Sequence, residues 1–435
     1  MSRVQSSSHT AQENDARRAR RNQRWAARRL LGFKSSLRRV RYCGRDLVPG
    51  KGGVAVLASG LGKERRAGFG NVQHCGSTWA CPVCSGKIAA ARAAEIARVI
   101  SAWHAPVFGP QLPGIPVTGL FGGRIIFLTL TMRHKKGQPL AELWENGISA
   151  GWGKVTSGRA WKREQELYGV RAVRTVKSGK RIGETVTEQR IGFARVVETT
   201  HGDNGWHVHI HALLFVRGDM TGKEALALGD SMFGRWAPAL KAAGFGTPSL
   251  VHGVDVRLMG PADGDALSKY FAKSVYGQEN AGKAGWEAAG GTGKNGSKKF
   301  GNRTPFQILA DIMAAGDADA SVAAVAAAGS GDDLAIWWEW ETASKGKRQL
   351  TWSPWLRDLL RLPEEETDQA IADAAILGDI VLTLRQDQWD AVFPSAAVLL
   401  DLVESDNDGA AARAWLDEKL GNWMPVAVYS GPLCL

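Results

Sequence analysis

Residues 205 to 216 read Gly-Trp-His-Val-His-Ile-His-Ala-Leu-Leu-Phe-Val, so His207, His209 and His211 alternate with Trp206, Val208 and Ile210. A period of two is a strand signal, whereas on a helix the same residues would scatter around the axis. The segment must therefore lie in a sheet with one apolar face and one histidine face. Neutral imidazoles in such a row can hold a divalent cation with little backbone adjustment. A surface strand that merely happens to be histidine-rich fits less well. Three of the chain's nine histidines fall within five residues, and an apolar run follows them. A cupin-type metal site is also disfavoured, because no acid lies between Ala212 and Val216.

Upstream, Ile191 to Thr200 has the pattern of a second strand, and His201-Gly-Asp-Asn-Gly205 is a turn cluster that would close a hairpin. In an odd-sum register, such as Glu198 opposite His207, the Glu198 carboxylate joins the histidine face. A slip by one residue turns it away. Imidazoles plus a carboxylate suit Mg²⁺ or Mn²⁺ acting on a phosphate and also suit zinc, so ligand type alone does not choose.

These residues resemble the central motif of the HUH endonucleases, and more closely the single-tyrosine rolling-circle replication initiators of bacterial plasmids. Ile125-Ile-Phe-Leu-Thr-Leu-Thr131 is similar to the first motif of that family, and Leu267-Ser-Lys-Tyr270-Phe-Ala-Lys273 to the third, a helix with Tyr-x-x-Lys. The resemblance spans roughly residues 40 to 362. It implies an α+β fold with a central HUH-type antiparallel sheet flanked by helices. It also implies a metal held by His209, His211 and Glu198, with His207 beside them, and Tyr270 as nucleophile aided by Lys273. Tyr276 ranks second, because six residues along a helix it points about 120° away. The implied activity is metal-dependent, site-specific nicking of one strand at a plasmid double-strand origin. That reaction leaves a 5′-phosphotyrosine and a free 3′-OH. The implied partners are origin DNA, single-stranded or as a hairpin, and a host polymerase and helicase, since no Gly-x-x-x-x-Gly-Lys-Ser/Thr loop is present.

The family's glutamate one turn before the tyrosine is replaced by Ala266. This leaves open whether Asp265, Tyr276 or a second protomer ends the reaction. The same chemistry in a transposase or mobilisation nuclease, and a non-cleaving zinc-containing DNA-binding protein, are the rival readings. Relaxases usually place the nucleophile before the histidines. Tyr270 follows His211 by 59 residues, which favours replication.

Charge points to the same partner. Fourteen acids against three bases from Pro363 onward give −11, so a chain of net +12 carries +23 on residues 1 to 362. A polyanion is the economical ligand for that surface. Residues 1–41, with Arg17, Arg18, Arg20, Arg21, Arg38 and Arg39, read as a basic disordered arm adding sequence-independent DNA affinity. Lys298 and Lys299 sit in a Gly/Lys-rich loop, 280–303, that could clamp DNA beside the nucleophile.

Cys81-Pro-Val-Cys84, with Cys75 and Cys43 before it, has zinc-knuckle spacing. The expectation is a zinc-ribbon-like segment over 42–104, with structural Zn²⁺ on Cys75, Cys81, Cys84 and either Cys43 or His74. The sequence further predicts a nicking domain over 120–279, a helical portion over 304–362 and an acidic helical appendage over 363–435. The appendage could also fold back on the basic surface. Trp144, Trp152 and Trp161 are expected in the core. The absence of a signal-like or membrane-length apolar stretch suggests a cytoplasmic protein.

Overall fold

The computed structural model describes residues 2–105, 122–175, 182–264, 302–315, 331–360, 362–374 and 378–421. The chain divides into two compact units, each assembled from separated stretches. The first comprises residues 1–88, 309–341 and 366–435, and the second 89–308 and 342–365.

The first unit is built on a three-stranded antiparallel sheet in the order β10-β1-β2, with β1 Val54–Ser59, β2 Arg66–Gly70 and β10 Asp379–Leu384. Its core joins Val54, Val56, Phe69 and Leu384 to Trp389, Leu399, Val403 and Leu416. The segment beyond residue 363 is thus no appendage, because it supplies an outer strand and much of the core. Helix was expected throughout 363–435, but Asp-Ile-Val-Leu-Thr-Leu is rich in β-branched and apolar residues, and it pairs with β1.

Residues 2–34 form one helix, α1 (Ser2–Lys34), where a disordered arm was expected. Alanine and arginine are good helix formers, and Ala27, Leu30 and Leu31 bury one stripe of it. The helix is tied down at its end. Trp338 Nε1 donates to the Lys34 carbonyl at 2.6 Å. The fully buried Glu341 carboxylate accepts from Ser35 Oγ at 2.5 Å and from the Ser36 backbone N–H at 2.7 Å.

The second unit holds a five-stranded antiparallel sheet, β8-β3-β7-β6-β9. Its strands are β3 Arg124–Thr131, β6 Gly192–Gly202, β7 Gly205–Val216, β8 Val254–Met259 and β9 Leu350–Trp352. β4 Val170–Thr175 and β5 Thr185–Arg190 form a separate antiparallel ribbon. β9 lies inside the portion expected to be helical, and it completes the sheet by pairing with β6. The histidine strand occupies the centre, and the 203–204 turn closes the hairpin with Gly205 at φ +84°.

One sheet face packs Ile125, Phe127, Leu213 and Phe215 on Ile96, Val99, Ile100 and Trp103 of helix Pro82–His104. The opposite face meets helix Gly222–Ala242, which opens on a Thr221/Glu224 capping box. Trp236 of that helix donates from Nε1 to the Thr131 carbonyl at 2.9 Å. Trp144, Trp152 and Trp161 are buried, as expected.

Candidate functional site

The apolar face of the central sheet gives way to histidines at one end. Thr129 and Thr131 of β3 stand opposite His211 and His209 of β7, and Glu198 of β6 stands opposite His209 on the other side. The register is odd-sum, which puts Glu198 on the histidine face, although its direct partner is His209 and not His207.

Each imidazole is held from behind. Thr129 Oγ1 lies 3.0 Å from His211 Nδ1, and Thr131 Oγ1 lies 3.1 Å from His209 Nδ1. The His211 ring also stacks on Phe127, 5.6 Å between centroids and 7° from parallel. Glu198 Oε2 is 2.6 Å from His211 Nε2. Burial pushes the Glu198 pKa up, but the His211 hydrogen bond, with the electrostatic pull of the adjacent imidazoles, outweighs it and brings the pKa below the ordinary carboxylate value. Burial lowers the His209 pKa to about 4, so its ring is neutral near pH 7 with a lone pair to offer.

His207 shares the face but turns to a different partner. Its Nδ1 is 3.0 Å from Nε2 of His134, a residue that sequence reasoning missed. Desolvation lowers both pKa values. The pair opens into a cleft of about 490 Å³ lined also by Thr131, Arg133, Lys136 and His252. Tyr270, Lys273, Tyr276, Asp265, Ala266, Lys298 and Lys299 lie outside the described residues.

The cysteines converge in the first unit. Cys43, Cys75, Cys81 and Cys84 are all buried, and among the described residues they alone bring three or more metal-type donor atoms within 4.8 Å of one another. Sγ separations are 3.6 Å for Cys43 to Cys84 and for Cys75 to Cys84, and 3.7 Å for Cys81 to Cys43. A tetrahedral zinc with bonds of ~2.3 Å sets its sulfurs roughly 3.8 Å apart. Disulfides, at ~2.05 Å, are excluded. The quartet could therefore hold a structural zinc. The backbone N–H groups of Cys75 and Ser77 already point at sulfur, 3.4 Å from Cys43 Sγ and Cys75 Sγ. Of the two alternatives for the fourth ligand, Cys43 is the one in place. His74 instead places Nδ1 3.4 Å from Asp373.

The arginines are not a free arm. Arg17 and Arg21 bind Glu404 at 2.8 and 2.7 Å, and Arg21 also pairs with Asp401. Arg18 lies 3.9 Å from Glu404, while Arg39 donates to Gln369 at 2.7 Å. Arg38, beside Tyr42, is exposed.

The chain is similar to a curated protein named Protein rep from Streptomyces lividans. The two are 29% identical over 419 residues, which cover 86% of this chain and 81% of that protein. It is likewise 29% identical over 315 residues to a protein named Neomycin resistance protein from Streptomyces cyanogenus, covering 62% of this chain and 65% of that one. No family model and no solved structure matches. No helix among the described residues is long and apolar enough to cross a membrane.

Proposed function

We propose that this chain initiates plasmid rolling-circle replication by nicking one strand of its origin, with Tyr270 as the nucleophile. The observation that carries the reading is the β6-β7-β3 register, which sets Glu198, His209 and His211 on one face with a threonine hydroxyl behind each imidazole. The name of the Streptomyces lividans relative, Protein rep, agrees with a replication role.

His209, His211 and Glu198 would hold a Mg²⁺ or Mn²⁺ ion once Glu198 swings off His211. The donor set, two imidazoles and one carboxylate, fits such an ion. When bound, it supplies Lewis-acid polarisation of the scissile phosphate. The rest belongs to the chain. The Tyr270 oxygen bonds to phosphorus as the bond to the 3′-oxygen breaks, the phenol proton passes to solvent, and the 3′-oxygen takes up a proton. Lys273, three residues after Tyr270 in the sequence, would lower the phenol's pKa or hold a phosphate oxygen. The cleft beside His134, with Arg133 and Lys136, would carry the strand to the metal.

The test incubates the protein and Mn²⁺ with labelled single-stranded DNA tiled across the origin region. Wild type should give a denaturant-resistant adduct, and Tyr270→Phe and His209→Ala should not. An adduct at wild-type yield in Tyr270→Phe would remove the nucleophile. No nicking of any fragment would favour a DNA-binding protein without cleavage.

A further inference from the structure

Arg17, Arg21, Arg24 and Arg28 recur along α1 at steps of four, three and four residues, which puts them on one face. They span about 16 Å of helix axis. With Arg66 of β2 and Lys87 they wall a cleft of about 540 Å³, and no acidic residue lines it. Its floor is apolar, with Trp25, Phe69 and Leu400.

Arg17 and Arg21 are turned partly toward Glu404 and Asp401, but Arg28 is not. It is only 4% exposed, lies 4.6 Å and 4.8 Å over the Trp25 and Phe393 rings, and has no hydrogen-bond acceptor for Nε or Nη2. A guanidinium buried with open donors is costly unless an anion completes it.

We propose that this cleft is a second nucleic-acid site, in which a DNA strand sets a base on the Trp25 and Phe69 floor and its phosphates against Arg28 and Arg66. An isolated small anion would use neither the apolar floor nor the volume. Arg28, Arg66 and Lys87 on the cleft walls offer cations to more than one phosphate. The site lies wholly within the unit that holds the cysteine quartet and does not depend on the nicking reaction. Its use is anchorage, since stacking and phosphate contact bind any sequence.

The experiment measures anisotropy of a labelled deoxythymidine oligonucleotide with full-length, zinc-loaded protein, in wild type and in a His209→Ala background that silences the histidine face. Arg28→Gln and Arg66→Gln are each expected to weaken binding several-fold. Each should also lower the slope of log K against log salt by about 0.7. An iododeoxyuridine strand should photocrosslink to the peptide carrying Trp25 or Phe69. Arg66 is on the half-exposed rim, so its variant stays informative if Arg28→Gln does not fold. Unchanged slopes with crosslinks only elsewhere would overturn the proposal. So would a mononucleotide binding as tightly as the oligonucleotide. Loss of zinc from Arg28→Gln, with Arg66→Gln silent, would also overturn it and make Arg28 a counter-charge for the thiolates.

Discussion

A hydroxyl both donates and accepts, and this suits Thr129 and Thr131 to stand behind two imidazoles. While Glu198 accepts from His211 Nε2, Thr129 can donate to Nδ1. With Nε2 serving as a metal ligand, the ring proton would sit on Nδ1 and the same hydroxyl would accept a hydrogen bond from it. Thr129→Val should therefore raise the Mn²⁺ concentration needed for adduct formation about 10- to 100-fold, with circular dichroism unchanged. Wild-type metal dependence in that variant would remove the orienting role. The histidine face and Glu198 were legible because parity alone assigns faces along a strand. The threonine contacts and the His134 to His207 pair were not, because they depend on a register between strands about 80 residues apart. The alternation of Thr129 and Thr131 beside the histidine strand was the available signal.

At the scale of elements, α1 and helix Ala396–Ser405 show how charge overrode a reading of disorder. Glu404 accepts from Arg17, Arg21 and the Ala67 backbone N–H. Burial alone would raise its pKa, but these partners hold it at about 2, against an ordinary 4.5. A depressed carboxylate adds stability that is complete above pH 4.5 and drains away as pH falls toward 2. The melting temperature of the first unit should drop across that window. Glu404→Gln should lose roughly 3 kcal/mol at neutral pH, as expected for breaking a buried pair. Thermal melts from pH 7 downward check both, and a variant melting like wild type would show the pair to be inert. Sequence gave the charge asymmetry of the two segments but not their contact. An arginine-rich stretch without acids looks solvated until its acids arrive from far along the chain.

Across the whole molecule, the expected order of domains gave way to two discontinuous units, and β1 with β10 is the reason. Helices and hairpins were legible because their contacts are local, whereas this pairing joins positions roughly 330 residues apart. A chain ending at Leu362 keeps all four clustered cysteines yet loses β10, Trp389 and Leu399 from the core. It should fail to retain zinc, as read by a colorimetric metal assay after gel filtration. Stoichiometric zinc in that truncation would show that the quartet folds alone.

The β1 to β10 pairing also sets an order of events at the ribosome. With synthesis at ~5 to 20 residues per second, β1 waits about 15 to 65 seconds for its neighbour, while every strand of the histidine sheet has already been made. Each newly synthesised molecule thus passes through an interval with its histidine sheet complete and its cysteine-bearing unit still open along one sheet edge, where chaperone protection would matter most.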